Sequence, residues 1–181
     1  LERLRIPGRK LPFQSDLPRY LILFVPGWDY EQSGHFTGAD FAVPRARLSR
    51  SGLNTRLIEI PSTGSVDQNA AVIADTLRRV PAPMPRIILV SASSGGPATA
   101  LALGKLLTTD ETCRVHAWVN IGGLLRGTPL FDPYRSGPRR WLGRVFAWLQ
   151  NWEWDALESL GSERACAQVS KLNLPAQLQA L

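Results

Sequence analysis

Arg86-Ile87-Ile88-Leu89-Val90 runs without a break into Ser91-Ala92-Ser93-Ser94-Gly95-Gly96, and this passage restricts the fold more than any other. The aliphatic run has no polar face, so it reads as a strand covered on both sides, as a central parallel strand is. Small residues follow at once, then helical text from Pro97 to about Leu107, so strand passes to helix with no intervening loop. Parallel strands need crossovers, and the rest of the chain should alternate apolar runs with amphipathic segments. Leu21 to Val25 is a buried strand closed by Pro26-Gly27, Thr55 to Ile60 a second, and Val115 to Ile121 a fourth. Ser65 is placed to cap a helix over residues 66–80, in which Ala70, Ile73, Ala74 and Leu77 share one face and Arg78 and Arg79 lie near the C-terminus. Residues 39–51 read as partly helical despite Pro44, and Trp28 to Ala39 as a long loop made flexible by Gly34 and Gly38. The expected architecture is α/β, a three-layer sandwich around a mostly parallel sheet. One domain spans 1–181, with 137–181 a helical cap or covering region.

A chain of 181 residues with 44% hydrophobic content is long enough to bury one continuous core. No apolar run nears the roughly 20 residues that span a bilayer, so no transmembrane segment is expected. A secretory leader needs a basic start and then an apolar stretch of about 7–15 residues, whereas residues 1–19 mix prolines, charges and single apolar side chains. A cytoplasmic location is favoured. The opening Leu1-Glu2-Arg3 lacks an initiating methionine, and the chain reads as a processed or excised segment. Cys113 and Cys166 have no CxxC spacing and only two histidines accompany them, which argues against a zinc or redox site. Buried thiols are the first reading and a single disulfide the second. The net charge is +6, with arginine supplying 18 of the 21 basic residues, but these are scattered outside residues 3–10 and 135–144. No nucleic-acid surface is expected, and oligomeric state is not readable.

Ser91 to Gly95 follows the G-x-S-x-G pattern with serine in place of the first glycine, and it lies between a buried strand and a helix, where that pattern has mechanical meaning. Such a turn forces its central residue into a strained backbone conformation, so the residues two positions away must be small. It lifts the Ser93 hydroxyl above the sheet, while the helix start aims backbone N–H groups at any oxyanion forming there. The N–H of Ser94 is one candidate donor. The other is the N–H of Trp28, in the loop after the first strand, where Gly27 permits close approach to a substrate. The plainer reading is that small residues merely pack a tight turn.

These segments resemble the α/β-hydrolase family, and within it the lipases and esterases. Leu23 to Trp28 resembles the oxyanion strand and loop, with Pro26 where a histidine usually precedes the glycine. Ser91 to Gly96 resembles the nucleophile elbow, and Val119 to Leu130 the stretch after the next strand. The likeness covers residues 20–132. It implies Ser93 as nucleophile, Trp28 and Ser94 as the oxyanion hole, and no metal or organic cofactor. The four predicted strands make only the central part of the family's sheet.

Serine attack needs a base, normally histidine, and a carboxylate to orient it. Downstream of Ser93 the only histidine is His116, which begins a strand and should lie at the opposite sheet end. His35, read in the loop after the first strand, is a candidate for chemistry, for substrate contact or gating, or an ordinary exposed histidine. Asp132 is a candidate orienting acid or a simple Asp-Pro turn. Two explanations of the missing base stand: further chain beyond Leu181 supplies it, which is favoured, or the chain is a non-catalytic relative.

From Arg139 to Leu160 the text is helical, and Trp141, Val145, Trp148 and Trp152 recur at helical spacing, broadened by Leu142, Phe146 and Leu149. The resemblance implies a lid here, with Trp148 touching an apolar substrate. The alternative is a helix covering the sheet. The favoured function is hydrolysis of small-molecule carboxylic esters, lipid-like ones included, through an acyl-enzyme at Ser93. A hydrolase-like module that binds a hydrophobic ligand or a protein partner without catalysis is the second reading.

Overall fold

The computed structural model describes residues 20–81, 86–130, 132–134, 137–150 and 152–162. Its centre is an all-parallel four-stranded sheet in the order β2-β1-β3-β4, from β1 (Tyr20–Val25), β2 (Asn54–Leu57), β3 (Arg86–Ala92) and β4 (Val115–Ile121). Alternate side chains of β1 serve two cores. Leu21, Leu23 and Val25 join the large cluster under α3 (Val66–Arg79) and α4 (Gly95–Leu101), while Ile22 and Phe24 pack with Phe41 and Leu48 beside α2 (Ala42–Arg50). Burial on both faces is why β1 and β3 read as unbroken apolar runs.

Helix α3 starts where Ser65 predicts: its Oγ accepts from the Gln68 N–H at 3.2 Å, and Gln68 Oε1 accepts from the Ser65 N–H at 2.8 Å. This is the reciprocal capping box. Pro44 falls in the first turn of α2, where the missing N–H breaks no intrahelical bond. The second strand is shorter than expected. Beyond Leu57 the chain leaves the ladder, keeping one bond from the Ile58 N–H to the Phe24 carbonyl at 2.8 Å.

Three expectations are corrected. Residues 28–39 are not a long loop, because α1 (Tyr30–Thr37) occupies most of them. Gly34 is buried against Asp40, and Gly38 (φ 75°) closes the helix by donating to the Gly34 carbonyl, so the glycines read as flexibility are a packing contact and a C-terminal cap. The aromatic text of 139–160 is two helices, α6 (Pro138–Leu149) and α7 (Trp154–Ser159). Helix α6 packs through buried Gly143 and Ala147, and a methyl on Gly143 would come within 2.8 Å of the Trp154 ring. The tryptophans therefore separate: Trp141 is 68% and Trp148 77% exposed, while Trp152, past the helix end, folds back toward the sheet. Cys113 is exposed and unpaired, not buried, and Cys166 lies outside the described residues.

Candidate active site

The chain passes from β1 to β2 on one side of the sheet, then crosses β1 to place β3 on the other side. The crevice beyond the C-terminal ends of β1 and β3 is therefore a topological switch point, the place where open α/β sheets bind ligands. Gly27, two residues beyond β1, and Ser93, one residue beyond β3, meet there. A Cβ built on Gly27 would lie 3.1 Å from the Ser93 Cβ.

Ser93 has φ 48°, one of three non-glycine residues in the left-handed region among the described residues. The price in strain is of order 1–3 kcal/mol, which only a surrounding that leaves no alternative can hold. That surrounding is visible. The Ser93 carbonyl accepts from the N–H groups of Gly96 and Leu124, both at 3.1 Å, and its own N–H reaches the Ile121 carbonyl at 3.4 Å. Gly95 sits so close to β1 that a Cβ would fall 2.5 Å from the Pro26 carbonyl oxygen and 2.9 Å from that of Val25.

Ser91, fully buried, accepts a hydrogen bond from the Trp118 indole N–H at 2.8 Å and donates to Asn120 Oδ1 at 3.1 Å. The serine that replaces glycine in the pattern thus ties β3 to β4 directly beneath the turn. Asn120 in turn fills the space between Gly96 and Gly123, either of which would clash with it if it carried a side chain. Trp118 and Asn120 are site-building residues that the sequence did not single out. The polar residue at the first glycine position was the signal that a hydrogen-bonding partner had to exist.

The loop after β1 is pinned from both sides. The Gly27 N–H donates to the Ala39 carbonyl at 3.1 Å, the Asp29 N–H to the Ser62 carbonyl at 2.8 Å, and Asp29 itself takes φ 53°. Behind it, the buried Tyr30 hydroxyl donates to the Ile60 carbonyl at 3.1 Å; burial first, then the neighbouring Glu31 carboxylate, pushes its pKa above the ordinary tyrosine value. It therefore stays a protonated donor that anchors the start of α1. Among the described residues, no hydrogen bond is formed by the backbone N–H of Trp28 or of Ser94. The Trp28 ring meets Trp152 edge-on at 5.8 Å, and Trp152 meets Phe146 at 6.0 Å.

The titratable candidates are not gathered around Ser93. His35 is exposed in the last turn of α1, its ring tilted against Phe36 with centroids 3.8 Å apart. His116, second residue of β4, lies 5.4 Å from the ring of Tyr20, the first residue of β1, and so at the sheet end opposite Ser93. Asp132 opens a short 3-10 turn and its Oδ1 accepts from the Ser162 N–H at 3.2 Å, fastening the end of α7. Trp148 stands on the outer face of α6, away from the Gly143 and Ala147 side. No cluster of three or more His, Cys, Asp or Glu fit to hold a metal occurs among the described residues.

No family model and no curated protein matches the chain. Solved structures do. A metagenomic carboxyl esterase is similar with a TM-score of 0.72 and 21% identity, over 95% of this chain and 51% of that one. The lipase BlEst2 of Bacillus licheniformis in its mature form is similar with a TM-score of 0.64 and 24% identity, over 87% of this chain and 62% of the lipase. The propeptide form of that lipase gives a TM-score of 0.65 and 26% identity, over 83% of this chain and 32% of its own length. The fold is an esterase- and lipase-like α/β-hydrolase fold, and the chain spans about half the length of the first of these structures.

Proposed function

We propose that this chain carries the nucleophile portion of a serine hydrolase acting on carboxylic esters, lipid-like ones included. The observation that carries the reading is Ser93 itself: a serine held at φ 48° between β3 and α4, at the switch point of an α/β-hydrolase sheet, against a glycine of the β1 loop. In this reading the Ser93 Oγ attacks the ester carbonyl carbon and its proton passes to a base. The carbonyl oxygen becomes an oxyanion held by the N–H groups of Ser94 and Trp28, with Gly27 leaving room for the substrate. Collapse expels the alcohol, which takes up the proton, and leaves an acyl-enzyme that water then cleaves.

The base comes from outside the arrangement described. His116 is at the wrong sheet end, and His35 fits a contact with substrate arriving over α1 better than proton transfer. An orienting role for Asp132 requires release of its bond to Ser162. The share of length is consistent with a base supplied elsewhere, since the chain spans 51% of the carboxyl esterase it is similar to. The same lack of a histidine at Ser93 favours the second reading, a non-catalytic module that holds a hydrophobic ligand in the same crevice. An alkyl fluorophosphonate, which reacts with activated serines, separates the two. The full-length protein is expected to be labelled on Ser93 and the Ser93→Ala variant to be silent. Labelling that persists in the variant defeats the assignment, and a silent wild type favours the binding module.

A further inference from the structure

An indole N–H can only donate, and a hydroxyl has a single proton to give. Because the Trp118 Nε1–H donates to the Ser91 Oγ at 2.8 Å, the Ser91 proton goes to Asn120 Oδ1 at 3.1 Å, which fixes the Asn120 amide with its oxygen toward β3. That amide is a wedge. A Cβ built on Gly96 would lie 2.7 Å from its Oδ1, and the three atoms nearest a Cβ on Gly123 are its Oδ1, Cγ and Nδ2. The Gly96 Cβ would also lie 2.9 Å from the Gly123 Cα, so the start of α4 and the loop after β4 close around the Asn120 side chain.

Those two stretches hold the Ser93 carbonyl. One donor to it is the N–H of Gly96, in the first stretch, and the other is the N–H of Leu124, next to Gly123 in the second, each at 3.1 Å. The Ser93 carbonyl and the Ser94 N–H belong to one peptide unit, which is planar and, when trans, points the two groups in opposite directions. Whatever aims the carbonyl therefore aims the N–H. With the carbonyl turned toward Gly96 and Leu124, the Ser94 N–H is turned away from them. The geometry points to Asn120 as a positioning residue for the oxyanion: its side chain spaces the two donors that fix the Ser93–Ser94 peptide, and so sets the direction of the Ser94 N–H. Asn120 acts here through the backbone and not on the substrate. The inference rests on the esterase reading for the oxyanion and on the contacts of Asn120 alone for the peptide.

The test removes the wedge and then refills its place. In the full-length protein, Asn120→Ala should lower kcat for phenyl acetate at least tenfold with KM within about twofold of wild type, because an oxyanion donor acts on the transition state and not on the bound ester. Gly123→Ala should do the same by displacing the amide. The double variant Asn120→Ala/Gly123→Ala puts a methyl where the amide stood and should recover kcat at least fivefold over either single variant. Its Ser91 hydroxyl still lacks the Asn120 acceptor, so a melting temperature that stays low while kcat returns separates positioning from stability. The backbone amide resonances of Ser94 and Leu124 read the same geometry without turnover, and should shift in each single variant and move back in the double. An unchanged kcat in Asn120→Ala overturns the proposal, as does a double variant no faster than the slower of its parents. If wild-type protein neither turns over the ester nor reacts with a fluorophosphonate, the esterase reading fails and the resonances decide alone. Their shift and return keep Asn120 as the residue that aims the peptide, and resonances that stay in place overturn that role as well.

Discussion

The turn from β3 to α4 and the helix α6 are both dense in sequence signal, yet the structure treats them oppositely. At the turn the neighbours fix the backbone: Ser91 bridges Trp118 and Asn120, the Ser93 carbonyl accepts two bonds, and Gly95 lies against two backbone carbonyls. On α6 the largest side chains are the most exposed, with Trp141 and Trp148 turned outward and the small residues Gly143 and Ala147 turned inward. A turn between strand and helix is specified by its immediate neighbours, because they are what it collides with. A helix face is specified by whatever covers it, and helical spacing alone does not say which face that is.

The largest expected effect is at Gly95. Its added methyl in Gly95→Ala would meet a main-chain oxygen at 2.5 Å, and neither β1 nor the turn has a soft direction in which to yield. A loss of about 3 kcal/mol, and a fall in melting temperature on the order of 10 °C, are expected. The matching change on α6, Gly143→Ala, meets the edge of the Trp154 ring at 2.8 Å, a side chain able to swing, and should cost less than half as much. Equal losses measured by thermal melting would erase the contrast between the two regions.

Next comes Ser91→Ala. It strands the Trp118 indole N–H and the Asn120 carbonyl oxygen beside a buried turn, which costs about 2 kcal/mol by denaturant titration. A neutral result would mean that the Ser91 network is incidental to the turn.

This is also where sequence and structure part. The sheet, the α3 cap, the small flanks of Ser93 and the sheet end of His116 were legible, because each follows from unbroken apolar runs, from local capping chemistry or from a local steric demand. The helix over residues 30–37 was not. Its two glycines carry the signature of a loop, and only the contact of Gly34 with Asp40 and the capping conformation of Gly38 reveal otherwise. Asp132 was legible as a carboxylate after the fourth strand, but its bond to the Ser162 backbone, 30 residues on, is a tertiary fact. The site's second tier was hidden for the same reason: nothing in a strand such as Val115–Ile121 says that its tryptophan and asparagine will share one serine hydroxyl.

A smaller effect isolates the strain at the turn. Both Ser93→Ala and Ser93→Gly remove the hydroxyl, but alanine inherits the φ of 48° with its Cβ, whereas glycine adopts it freely. The glycine variant is therefore expected to be the more stable of the two by about 1 kcal/mol, even though glycine is usually the destabilising choice. Finding alanine the more stable would show that the left-handed conformation at residue 93 is not held in solution.

The smallest effect is expected at Trp148, where the two ideas about α6 can be told apart. Truncating a large buried aromatic costs about 3–5 kcal/mol, while exposed substitutions stay within about 0.5 kcal/mol. At 77% exposure Trp148 belongs to the second class, so Trp148→Ala in this chain should leave the melting temperature within about 2 °C of wild type. The same substitution in the full-length protein then reads what lies over the outer face of α6. A melting temperature that falls as for a buried ring means that another segment packs there, and the helix is a piece of core whose cover is not among the described residues. Unchanged melting with a shifted preference between short and long acyl esters means that substrate meets the face, as a lid requires. Should neither quantity move, Trp148 contacts neither protein nor substrate, and chain-length selectivity has to be sought on the inner side of α6, at Phe146 and Trp152.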